Sequence, residues 1–189
     1  MSRIRLRPIE HEDLPFLQSL ANDTVVRERV VGWDWPVSMA DQERWFVSGA
    51  NTSTTRRFVV ESTSGDRLGL TGLWDIDWHN RSALTALKLG GDPGNRGKGY
   101  GAEAVQALMR FAFNDVGLNR LHSTILETNL PSLVVYIRKS GWSEEGRLRQ
   151  HVWRDGKFLD AIQIGILASE FASAGLAQDD VGKDSSVGG

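Results

Sequence analysis

Apolar and polar residues alternate with a period of two along several stretches of the chain, and strands are predicted there. Ile4 and Leu6 alternate with Arg3, Arg5 and Arg7. Arg57 to Ser62 and Leu68 to Asp77 form the arms of an antiparallel hairpin around Ser64-Gly65-Asp66. Ser82 to Leu89 follows the turn His79-Asn80-Arg81, and Leu121 to Glu127 comes after a helical stretch. Leu148 to Trp153 and Phe158 to Leu167 close on Arg154-Asp155-Gly156 as a second hairpin. Helical spacing appears in Leu14, Leu17 and Ala21 within Glu12 to Asn22, and Ser38-x-x-Asp41 is a capping box opening a helix through Val47. Val105, Leu108, Phe111 and Ala112 make an apolar face between Gly101 and Asn114, with Gly117 as the stop. Asn129 can cap a further helix, with Pro131 in its first turn and Gly141 past its end. Residues 24–37 carry no clear period and hold the aromatic loop Trp33-Asp34-Trp35-Pro36.

This order predicts an α/β fold with a mixed, mostly antiparallel central sheet flanked by helices. One domain is expected over residues 1–171, and the Ala, Gly, Ser and Asp-rich stretch 172–189 is expected to be disordered. With 189 residues, 40% apolar and 24% charged, the composition is that of an ordinary globular protein. A formal charge of −2 argues against a dedicated nucleic-acid binder, although Arg3, Arg5 and Arg7 share a short stretch. The absence of cysteine excludes disulfides, thiolate metal sites and a cysteine nucleophile. No metal-ligand spacing occurs, and no apolar run approaches the 18 or so residues of a membrane span. Without an apolar leader, the cytoplasm is the default location.

Candidate chemistry concentrates in Asp92 to Ala104, where four glycines fall within the eight residues 94–101 just before a helix. Such a turn lets successive backbone N–H groups point at one anion, with the helix dipole behind them. A P-loop is excluded, because Asp92 and Gly99 stand where a glycine and a Ser or Thr are required. Gly99-Tyr100-Gly101-Ala102-Glu103-Ala104 fits a dinucleotide fingerprint, with Glu127 as the ribose acid, but the antiparallel strands before it do not suit a βαβ opening.

Arg96-x-x-Gly99-x-Gly101 also resembles the acyl-CoA pyrophosphate loop of the GNAT superfamily of N-acetyltransferases. Asn129, Ser132, Tyr136 and Gly141-Trp142 are similar to the segment N-x-x-S/A-x-x-x-Y…G-F of that family, with four residues in place of three between the tyrosine and the glycine. The resemblance covers roughly residues 3 to 168 and is nearest the RimJ/RimL-like branch; Arg56 to Glu61, His79 to Ala83 and Gly156 to Asp160 are also similar to spermidine N-acetyltransferases. It implies a splayed strand pair at the cofactor site and acetyl-CoA as cofactor. The diphosphate would meet Arg96, Gly97, Lys98, Gly99, Gly101 and Ala102, and the pantetheine arm would meet the strand edge Leu87, Lys88, Leu89 and Asn129. Ser132 and Tyr136 would lie near the thioester, with Tyr136 as the acid that protonates the leaving thiolate.

The implied acceptor is a primary amine of a small molecule, a polyamine or a protein N-terminus, with a homodimer as a candidate assembly and no nucleic acid or membrane partner. Trp33 and Trp35 could wall the acceptor site, and Asp75 with Asp77 could receive a cationic acceptor from one strand face. Spacing selects no general base among Asp75, Asp77, Glu127, His79 and His122. A non-catalytic acyl-CoA sensor is the competing reading from another functional class.

Overall fold

The computed structural model describes residues 2–49, 51–90, 93–95 and 97–175. Strands β1 (Ile4–Arg7), β2 (Arg56–Ser62), β3 (Arg67–Asp77), β4 (Ser82–Leu89), β5 (Arg120–Leu126), β6 (Ser143–Arg154) and β7 (Lys157–Leu167) form a sheet in the order β1-β2-β3-β4-β5-β7-β6. All neighbours are antiparallel except β4 and β5. The last hairpin turns as its Asp-Gly pair requires: Asp155 and Gly156 both hold positive φ, 48° and 76°, the geometry that matches the twist of two strands joined by two residues.

Helices cover both faces. Neighbouring Val59 and Val60 of β2 point to opposite sides and are both fully buried. Val59 belongs to a cluster with Leu17 and Leu20 of α1 (Leu14–Asn22) and Val26 of α2 (Thr24–Arg29). On the other side, Val60 packs with Ala104 of α4 (Tyr100–Arg110). The main core lies beyond it, where Val105, Leu108 and Met109 of α4 meet Leu73, Leu121, Ile162 and Ile164 of the sheet. Between α2 and β2, α3 (Met39–Val47) begins at Ser38, whose side chain accepts from Asp41 N–H while Asp41 accepts from the Ser38 N–H, the predicted capping box.

Arg5 and Arg7 of β1, and Arg3 just before it, are absorbed into ion pairs and form no basic stripe. Arg5 and Arg7 both bond Glu61 of β2, Arg7 also bonds Asp13 at 2.7 Å, and Arg3 bonds Glu103 of α4.

Three differences from the sequence reading have local causes. Thr24–Arg29 is helical, with Asp23 accepting from the N–H groups of Val25 and Val26. Its β-branched start and single buried residue, Val26, gave no period to read. The helix expected to begin at Gly101 starts one residue earlier and ends as a wide turn at Phe111–Asp115 with π-type bonding. Within the tail expected to be disordered from residue 172, Ala172 and Ser173 are helical: α6 (Ala168–Ser173) docks Phe171, 1% exposed, against Phe113. Residues 176–189 of that predicted tail lie outside the described residues.

Candidate active site

The site starts from a parting of two strands. β4 and β5 pair only at Ser82–Arg120, Ala83–Leu121 and Leu84–His122. Beyond these pairs, β4 continues to Leu89 bonded only to β3, and β5 continues to Leu126 bonded only to β7. At the vertex the buried Ser123 hydroxyl donates to the Thr85 carbonyl at 2.6 Å, a side chain replacing the next ladder bond. From there outward the β4 edge that faces β5 has no strand partner, and an open edge of this kind accepts an extended ligand as an added strand.

The glycine-rich turn lies at the outer end of β4. Gly97 and Gly99 hold φ of 76° and 91°, and Gly99 is the N-cap of α4. Its carbonyl takes the N–H groups of Ala102 and Glu103, so those of Tyr100 and Gly101, in the first turn, have no acceptor within the helix. Arg3 braces the turn by donating to the Lys98 carbonyl at 2.7 Å and stacking on the Tyr100 ring at 5.2 Å. Lys98 is exposed and its Nζ donates to Asn95 at 3.2 Å. Arg96, the expected diphosphate partner, lies outside the described residues.

Across the gap, Asn129 caps α5 (Leu130–Leu133). Its Oδ1 accepts from Ser132 N–H at 3.3 Å, and its Nδ2 donates to the Arg29 carbonyl at 2.8 Å, which ties the end of α2 to the start of α5. The extra residue before Gly141 is taken up by a wide turn at Val134–Arg138, where one residue more than an α-turn fits into the helix. Tyr136 therefore faces the gap: with Asn129 and Ser132 it lines a cavity of about 40 Å³ that also reaches Ala86, Lys88, Ser123 and Thr124. Val135 turns away and sits against Gly101, where an added Cβ would be 3.4 Å from it. The Tyr136 ring is 4% exposed and meets Trp142 edge-on at 4.9 Å. Burial pushes its phenol well above the usual tyrosine range, so it stays protonated at every working pH.

On the other side of the parting lies a larger cavity of about 620 Å³, walled by Trp33, Trp35, Trp45 and Trp74 with Leu17 and Leu70. It shares Val31, Ala86, Lys88, Ser123 and Thr124 with the small cavity, so the two meet at the strand gap. The Trp33 loop is fixed at both ends: Asn22 exchanges two bonds with Val37, at 2.8 and 2.9 Å, and Arg154 of β6 reaches Asp34 at 2.7 Å. A β-bulge between Leu148 and Val152, with Gln150 at φ 51°, accompanies the placement of His151 in the same wall.

Lys88, expected only as part of the strand edge beside the cofactor, also brings its side chain into both cavities. It is 7% exposed, its Nζ lies 4.9 Å from the Trp33 ring and 5.2 Å from the Trp74 ring, and among the described residues it has no hydrogen-bond or ion-pair partner. Burial, with the nearby Arg57 charge, lowers its ammonium to about 8. Arg57 stacks on Trp45 at 5.1 Å and on Trp74 at 5.7 Å.

Comparison with known proteins places this geometry. Residues 3–142 match the family model described as an acetyltransferase (GNAT) domain. The chain belongs to the GNAT acetyltransferase family. It is similar to the spermidine N(1)-acetyltransferase of Vibrio cholerae, 27% identical over 172 residues that cover 90% of this chain and 96% of the relative. The Escherichia coli K12 spermidine N(1)-acetyltransferase is 27% identical over 169 residues, covering 89% and 88%. Among solved structures, the V. cholerae spermidine N-acetyltransferase in complex with CoA and spermine superposes with a TM-score of 0.83 at 25% identity, covering 91% of this chain and 99% of that one. A dodecameric structure of the V. cholerae enzyme gives a TM-score of 0.78 at 25% identity, covering 92% and 99%. The GNAT assignment excludes the dinucleotide alternative, and the antiparallel strands before the glycine turn agree with it.

Within this GNAT fold the predicted site residues fall into three groups. Gly97, Lys98, Gly99, Gly101 and Ala102 form the turn, and Leu87 to Leu89, Asn129, Ser132 and Tyr136 border the gap, as do Trp33 and Trp35 through the large cavity. Asp75 and Asp77 do not reach either cavity. A bulge between Trp74 and Asp77, with Asp75 at φ 49°, breaks the alternation that would have put both on one face, and Asp77 is occupied by Asn80 at 2.7 and 2.8 Å. Glu127 is held by Arg147 at 2.7 Å, and His122, lowered by burial and the Arg120 charge, lines a separate cavity with Glu145. None of the described helices is long and apolar enough to cross a membrane.

Proposed function

We propose that acetyl-CoA lies in the gap between β4 and β5 and that its acetyl group passes directly to the primary amine of a small molecule held in the tryptophan-walled cavity. The single observation that carries this reading is the meeting of the two cavities along Ala86, Lys88, Ser123 and Thr124 at the point where the strands part. The residues present suit the cosubstrate: a free strand edge for its amides, and a turn whose Gly97, with no atom within 4 Å of an added Cβ, leaves room for a diphosphate.

When bound, acetyl-CoA supplies an activated thioester. The chain's own residues would do the rest. The backbone of Leu87 to Leu89 aligns the extended arm, and the N–H groups from Gly97 to Gly101, with Arg96 and Lys98, receive the anionic end. The Ala102 N–H, already given to Gly99, adds little. Asn129 fixes the start of α5, so that Ser132 and the protonated Tyr136 face the gap, where Tyr136 holds the proton that the departing thiolate takes. The aromatic walls exclude water from the acceptor amine. We place the reaction in the cytoplasm and propose a homodimer that belongs to the RimJ/RimL-like branch.

Isothermal titration with acetyl-CoA, CoA and NADH, followed by a free-thiol assay against a panel of amines, tests the reading. Spermidine, the amine named for the relatives, and a short peptide with a free N-terminus belong in the panel. Micromolar acetyl-CoA binding with thiol release on at least one amine is expected. Binding without release on any amine would point to a sensor, and absence of acetyl-CoA binding would overturn the proposal.

A further inference from the structure

The two carboxylates in the wall of the large cavity are both engaged elsewhere. Asp34 pairs with Arg154 at 2.7 Å, and Asp41 accepts from Ser38 and pairs with Arg44. Lys88, in contrast, brings an ammonium into the same cavity against the faces of Trp33 and Trp74, with no hydrogen-bond or ion-pair partner among the described residues. An aromatic cage offsets part of the cost of a buried cation but supplies no counter-charge. The second cation of the wall, Arg57, adds charge of the same sign. A polycation entering here meets like charge in a low-dielectric setting, whereas an anionic group meets an ammonium already stripped of water.

The position of Lys88 narrows the class further. It lines the small cavity beside Tyr136 as well as the large one, so an anion on it sits next to the reaction centre. The anion and the reacting amine must then be separated by very few bonds. The remaining wall, Trp33, Trp45, Trp74, Leu17 and Leu70, suits an apolar body, and a single unpaired ammonium suits a monoanion better than a phosphate dianion. We infer that the acceptor is an α-amino acid with an apolar side chain, its carboxylate received by the Lys88 ammonium. This rests on the reading of the large cavity as the acceptor side. The reaction balances as an ordinary aminolysis: the neutral amine forms a C–N bond to the acetyl carbon, the C–S bond breaks, and the proton lost by nitrogen is matched by one delivered to the thiolate.

The test compares each of the common α-amino acids with its decarboxylated amine and with spermidine, by thiol release, in the wild-type protein and in Lys88→Met. Wild type is expected to prefer at least one apolar amino acid over its amine by roughly 30-fold or more in kcat/KM. In Lys88→Met that ratio collapses toward one. A better rate with spermidine than with any amino acid, no preference for the carboxylate, or an equal loss for amino acid and amine in the variant would each overturn the inference. A second arm needs no turnover. Saturable quenching of tryptophan fluorescence by N-acetylphenylalanine, the carboxylate-bearing product, is expected in wild type and lost in Lys88→Met; its absence in wild type, or its survival in the variant, also overturns the inference. Failure of thiol release with every amine, alongside saturable quenching, would count against catalysis and not against the carboxylate site. Lys88→Gln replaces Lys88→Met should the latter fail to fold.

Discussion

Replacing Lys88 by Met should make the protein more stable at neutral pH, and the gain should shrink in alkali. The ammonium falls from 10.5 to about 8 on folding. The folded state therefore binds fewer protons than the unfolded chain between those values, and stability rises with pH across that window. At pH 7, where Lys88 is charged in both states, the burial cost is about 3 kcal/mol, falling to about 1 kcal/mol by pH 10. Contact with the Trp33 and Trp74 rings offsets roughly 1 kcal/mol of this. Lys88→Met, of similar length and without charge, should thus unfold about 2 kcal/mol less readily than wild type at pH 7 and about 1 kcal/mol less readily at pH 10, where the folded Lys88 is neutral and the ring contact no longer offsets anything. Urea denaturation of both proteins at the two pH values gives the double difference, in which every other titrating group cancels. Parallel stability–pH curves for the two proteins would mean that Lys88 carries its proton in the folded protein as easily as in water. A group kept at this cost, bordering both cavities, fits a site that sacrifices stability for function.

Tyr136→Phe should lower kcat by about 100-fold or more while leaving the acetyl-CoA dissociation constant within about 2-fold, as steady-state kinetics and calorimetry would check. Asp13→Ala should cost about 3 kcal/mol in urea denaturation, because Asp13, 1% exposed, accepts from Arg7, Arg67 and the Glu10 N–H. Burial alone would raise that carboxyl, but these bonds outweigh it and hold it well below the usual range, so wild type should lose this stability as pH falls below about 4 and the variant should not. Gly99→Ala should cost about 1–2 kcal/mol in stability and weaken acetyl-CoA binding measured by calorimetry, since alanine resists φ of 91° and its Cβ would come within 3.2 Å of the Arg3 guanidinium.

Much of the architecture was legible because local signals agreed with tertiary demands. The period-two pattern located β4 at Ser82 to Leu89 without error, the Asp-Gly pair placed the last turn, and Ser38 with Asp41 marked the start of α3. What escaped depended on non-local or single-residue geometry. No local rule separates β4 from β5 after three pairs; that follows from how the helices and the Ser123 bond hold the vertex. The wide turn at Val134–Arg138 left a trace only as one extra residue before Gly141. Lys88 was expected only as part of the strand edge beside the cofactor; that its side chain is buried follows from the α1 residues and the Trp33 loop that share its cavity wall. Asp75 and Asp77 looked like partners because strict alternation was assumed, and a bulge removed it.

On the proposed reading, the acyl-CoA arm docks along the unpaired edge of β4. Amide hydrogen exchange resolved to single residues, with and without acetyl-CoA, addresses it directly. Alternate amides of residues 85–89, those directed away from β3, should become protected on binding together with amides of 97–101, while the neighbours already bonded to β3 stay as they were. Saturating acetyl-CoA with unchanged exchange along β4 would mean that the arm docks elsewhere.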